Sequence, residues 1–227
     1  MRSGCDIKKF ILEKTVEYIK EMPNDVYALY FFINTQEGTA QVPTLALMYN
    51  TLSELGEDIP KPIEPCWNIA FWYTDECPII GNNAEDTNEA KKTMNMLSEW
   101  FSVNGYDSAQ IEDDPNDDYF ECTMGYRILS EMIEEIAPDL KKVFKDKFGR
   151  DIVLLLGEYS YTPVDVKKIS AINGNAAQIF LEYYEEMTDL SEDFNTALLD
   201  SLGDNDDQNY DKVVLEFLKK IKEDYKS

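Results

Sequence analysis

Val26-Tyr27-Ala28-Leu29-Tyr30-Phe31-Phe32-Ile33 is a run of eight apolar or aromatic residues with no charged group among them. A strand alternates its side chains between two faces, so a run apolar at every position reads as a central strand covered on both sides. Its β-branched and aromatic content favours extended backbone. A second run, Ile152-Val153-Leu154-Leu155-Leu156, lies between Gly149 and Gly157 and reads as another buried strand of the same sheet.

The remaining segments arrange themselves around these two. Ile7, Phe10, Ile11, Tyr18, Ile19 and Met22 recur at three- and four-residue steps, which predicts an amphipathic helix ended by Pro23. Asn34 to Thr39 reads as a turn, and Val42 to Tyr49 as a second strand completing a hairpin. Pro43 places that strand at an edge or delays its start. Residues 53–65, with Gly56 and three prolines, read as a non-helical loop. Trp67 to Tyr73 is the third strand expected, from its alternation. Asp86 or Thr87 caps a helix to about Val103, and further helices are expected over 120–136 and from Pro138 to Gly149. The last seventy residues predict helices near 175–187, 191–202 and 208–224. The fold class expected is one α+β domain over 1–227, a hairpin-based antiparallel sheet of about four strands packed by helices. A helical C-terminal subdomain over 188–227 is the alternative.

Charge narrows the range of functions. The chain holds 45 acidic and 21 basic groups, a net charge of −24, and no histidine. Such an excess repels phosphate backbones and anionic headgroups, so neither nucleic acid nor a membrane is an expected partner. Without imidazole there is no Ser–His–Asp or Cys–His triad. Cys5, Cys66, Cys77 and Cys122 include no Cys-x-x-Cys pair, so neither zinc nor any other metal or cofactor is expected. The first twenty residues hold no signal-peptide-like apolar stretch, and the expected location is the cytoplasm.

The acidity is uneven. Residues 81–137 carry 14 acidic and 3 basic groups, almost half of the net excess. At the centre lie Glu112, Asp113, Asp114, Asp117 and Asp118, followed by Tyr119; these are the candidate partner-binding residues. Self-repulsion makes such a stretch stable only when solvated or matched by a cationic partner. Calcium does not fit it: an EF-hand needs Gly sixth and Glu twelfth, and neither this stretch nor Asp204-Asn205-Asp206 supplies both in frame. No catalytic residues are expected. Glu134-Glu135 and Glu185-Glu186 diverge on a helix, and no phosphate-binding or nucleophile-elbow motif occurs. Trp67, Trp72, Tyr159 and Tyr161 are read first as core and second as interface residues.

The order of segments resembles an uncharacterised bacterial family, the domain-of-unknown-function 4303 type. The similarity is carried by the aromatic strand Tyr27–Ile33, the Asn50-Thr51 strand end, Trp67-Asn68-Ile69-Ala70-Phe71-Trp72, Phe148-Gly149-Arg150-Asp151 and Ile172-Asn173-Gly174. Acidic one-domain families of this kind include immunity proteins of bacterial toxin systems. The resemblance implies a cytosolic partner-binding role and brings no catalytic residues. The leading expectation is therefore a non-catalytic acidic domain that binds a basic protein, in its sharpest form an immunity protein neutralising a toxin domain. The alternatives are a DNA-mimic inhibitor of a nucleic-acid-binding protein and a hydrolase using carboxylates alone.

Overall fold

The computed structural model describes residues 6–35, 42–56, 59–72, 77–82, 87–106 and 123–202, with side chains to 191. The chain divides into two compact units, Met1–Ile179 and Phe180–Ser227. In the first unit, α1 (Ile7–Glu21) starts at Asp6, whose side chain accepts from Lys9 N, and it stops at Met22, ahead of Pro23. The strand β1 (Val26–Asn34) is buried along its whole length, and β2 (Thr44–Thr51) starts one residue after Pro43. Together they form the expected antiparallel hairpin, with Phe31 opposite Leu47.

The sheet has four strands in the order β3-β2-β1-β4, where β3 is Cys77–Ile80 and β4 is Val153–Gly157. The architecture is α+β, and the sheet is mixed where an antiparallel one was expected. β4 runs parallel to β1, pairing Ala28 with Val153 and Phe32 with Gly157. The cause is the helix α5 (Met124–Phe148), 25 residues long, that precedes β4. At 1.5 Å per residue it spans roughly 37 Å, which returns the chain to the starting end of β1 and makes a crossover connection. An uninterrupted apolar strand suits such a parallel, doubly covered position.

Other differences have local causes. Of the strand expected over Trp67 to Tyr73, the described residues 67–72 form none: α3 (Glu64–Trp67) and a 3-10 turn (Ile69–Phe71) occupy most of them. Pro65 lies in the first turn of α3, where a missing N–H costs nothing, and the Asn68 side chain accepts from Ala70 N to start the next turn. The burial follows these turns and not an alternation, since Trp67 and Trp72 are buried while Phe71 is exposed. Nor is 53–65 free of helix. Thr51 caps the short α2 (Leu52–Leu55), and Gly56 closes it in the left-handed conformation at φ 66°. Thr87 caps α4 (Asn88–Val103) as expected.

Pro138 does not begin a helix but lies inside α5. A buried stripe of Leu129, Ile133, Ile136, Leu140 and Phe144 continues past it on the same face. Burial of that stripe outweighs the roughly 3 kcal/mol that an interior proline costs. After β4 come α6 (Pro163–Asn173), a 3-10 turn (Gly174–Ala177) and α7 (Gln178–Leu202). The last of these is one continuous helix where separate helices near 175–187 and 191–202 were expected. The helix expected over 208–224 lies outside the described residues. Among the described residues, no helix is long and apolar enough to cross a membrane.

Candidate functional site

Parallel β1 and β4 end side by side, and the chain beyond Gly157 closes a cleft of about 390 Å³. Its walls are the loop after β4, the first residues of α6 and Tyr126 from α5. In open sheets with parallel strands, crevices for ligands form just beyond the carboxyl ends of those strands. The volume lies within the roughly 300–1,000 Å³ usual for small-ligand sites.

Each wall is held by a traceable interaction. Tyr30 is buried, and its hydroxyl donates to Glu158 O at 2.6 Å. A Cβ at residue 157 would lie 2.4 Å from that hydroxyl, so only glycine lets the strand end there. The Tyr30 ring meets Trp72 and Tyr161 edge-on, with centroids 6.1 and 5.7 Å away. The Tyr161 hydroxyl donates to Trp67 O at 2.5 Å, tying the loop to α3. Glu158 Oε1 accepts from both the backbone N and the hydroxyl of Thr35. Among the described residues no donor reaches Oε2.

Asp165 is the other carboxylate of the cleft. Thr162-Pro163-Val164-Asp165 forms a capping box, in which Thr162 Oγ1 accepts from Asp165 N while Thr162 N donates to Asp165 Oδ2 at 3.0 Å. Thr162 Oγ1 also lies 2.8 Å from Oδ2, and the Tyr126 hydroxyl donates to Oδ1 at 2.7 Å. Asp165 is only 1% exposed. Burial raises its pKa above the ordinary carboxyl value, outweighing the donated hydrogen bonds of Tyr126 and Thr162 and the attraction of Lys168. Lys168 itself points to Ser130 Oγ on α5.

Tyr159 and Val164, each next in sequence to a lining residue, are exposed, and so are Ile63 and Phe71, which flank the Trp67 to which Tyr161 is bonded. A second hollow, of about 210 Å³, lies between α1, β3 and the start of α4. There Lys14 is paired with Glu17 and bordered by Glu89.

Glu112, Asp113, Asp114, Asp117, Asp118 and Tyr119 all lie outside the described residues, as does the Asp204–Asp206 stretch. Of the aromatic candidates, Trp67 and Trp72 belong to the core, and Tyr159 is exposed beside Phe32. Sequence reasoning missed Glu158, Asp165 and Tyr126. The capping-box spacing Thr-x-x-Asp was a readable signal for Asp165; nothing in the sequence marks Glu158. Among the described residues, no group of three or more Cys, Asp or Glu is placed to hold a metal ion. No family model matches the chain, and no curated protein and no solved structure matches it.

Proposed function

We propose that this chain is a non-catalytic, cytoplasmic domain that binds a basic protein, with an immunity protein opposing a basic toxin domain as the sharpest form of that reading. The observation that carries it is the excess of 45 acidic over 21 basic groups in a chain without histidine. Such a field speeds encounter with a cationic surface and discourages other partners. The exposed side chains of Tyr159, Val164, Ile63 and Phe71 support it as apolar anchors that a bound partner would desolvate. Joint replacement of Asp113, Asp114, Asp117 and Asp118 by Asn tests the share of the central acidic stretch. Association with the basic protein should slow by roughly tenfold, with a flatter salt dependence. Unchanged kinetics would remove that stretch from the account.

One observation favours a second reading, a hydrolase working with carboxylates alone: Glu158 and Asp165 line the same cleft. A glycosidase-like pair needs one acid free to give a proton and another free to attack or to activate water. Asp165 is occupied as a helix cap and hydrogen-bonded on both oxygens. That occupation weighs toward binding. Hydrolysis of any aryl glycoside, lost on Glu158→Gln, would reverse the balance.

A further inference from the structure

We propose that the cleft beyond β4 is a receptor for one arginine side chain, presented by the basic partner; this rests on the basic-partner reading above. What selects a cation is the balance of donors and acceptors in the wall. Of the side-chain donors in its wall, Tyr126 and Thr162 are spent on Asp165 and Tyr161 on Trp67 O, which leaves the Ser160 hydroxyl, a group that accepts as readily as it donates. Pro163 has no N–H, and the capping box covers the amides of Thr162 and Asp165. The start of α6 therefore adds little that would attract an anion.

What remains turned to a ligand is acceptor and ring. Glu158 keeps one carboxylate oxygen with no donor among the described residues, and its other oxygen is fixed by Thr35. Asp165, 1% exposed and hydrogen-bonded on both oxygens, is committed to the start of α6 and leaves Glu158 as the acceptor that meets the ligand. Tyr126 and Tyr161 contribute aromatic surface. Among the described residues, neither Lys nor Arg lines the cleft. Lys168, the cation acting on Asp165, is directed at Ser130. A planar guanidinium suits this setting better than an ammonium. It can lie on a ring face while its forked N–H groups reach a carboxylate, and it is more weakly hydrated. The exposed groups Tyr159 and Val164 would then lie beside the backbone that presents the arginine.

The test uses the full chain and two small probes, N-acetyl-arginine methylamide and its citrulline counterpart, which keeps the shape and lacks the charge. Amide chemical shifts are followed during titration at low ionic strength. The arginine probe should give saturable shifts confined to residues around 157–165, and citrulline at least tenfold weaker ones. Glu158→Gln should weaken the arginine probe by roughly tenfold or more. Ser160→Arg, at an exposed position on the rim, should block it by filling the cleft from within, and it keeps the test intact if the Glu158 variant folds poorly. Equal shifts with citrulline would overturn the inference, as would shifts scattered over the acidic surface and indifferent to both variants. A basic protein that binds with the same affinity to wild type and to both variants sinks the arginine cleft and leaves the partner reading standing. A chain that takes the probe in the cleft but associates with no basic protein sinks the partner reading instead.

Discussion

Gly157 and Tyr30 show how one atom decides the end of β4. The missing Cβ is what lets the buried Tyr30 hydroxyl reach Glu158 O. Gly157→Ala should therefore destabilise the protein by roughly 1–3 kcal/mol, the usual cost of overpacking a core, read as a lower midpoint in denaturant. An unchanged midpoint would mean that the strand end is free to shift. Asp165 adds a pH signature. Burial holds its folded-state pKa above the ordinary 3.8, so the native state binds the proton more tightly than the unfolded chain does. Its stabilising contribution is complete below the unfolded pKa and is lost as pH rises through the raised value. Stability measured from acid toward neutral pH should fall in that window, and Asp165→Asn should flatten the fall while costing roughly 1–3 kcal/mol, because its –NH2 cannot accept the bond from either Tyr126 or Thr162. An identical slope in the variant would remove Asp165 as its source.

Elements explain which parts of the fold could be read in advance. The run Val26–Ile33 and the stepped pattern from Ile7 to Met22 carry their own periodicity, and the structure has β1 and α1 where they were expected. Thr87 was legible because capping is local chemistry. Pro138 misled because the stripe crossing it is stabilised by tertiary burial, which no local rule contains. Trp67-Asn68-Ile69-Ala70-Phe71 misled in the opposite sense: its alternation is real, but Pro65 and Asn68 turn the backbone instead. The parallel pairing of β4 depends on where α5 returns the chain, a property of the path and not of either strand. Asn173 belongs to the same lesson, since only the path of the chain brings its side chain to β4. Its side-chain amide donates to Leu154 O at 2.7 Å and accepts from Leu154 N at 2.9 Å, closing the outer side of the edge strand β4. Asn173→Ala should leave both groups unpaired and destabilise by roughly 2 kcal/mol or more. Amide exchange at Leu154 should quicken first; exchange at the wild-type rate would show that the edge does not need this residue.

At the scale of the whole molecule, charge is the dominant property. An acid-rich chain without imidazole is poorly equipped to move protons near neutrality and well equipped to draw in a cationic surface. The charge was fully legible in the sequence, whereas the cleft was not. Tyr126 stands at the start of α5 while Glu158, Tyr161 and Asp165 follow β4, and only the fold brings them to one place. The most direct test of the proposed function is the association rate of the purified chain with the protein it retains from a lysate of its own cells, followed from low to high ionic strength. An electrostatically steered pair should lose roughly tenfold or more in association rate across that range, with dissociation changing far less. A rate indifferent to salt, or a retained partner with no net positive charge, would contradict it.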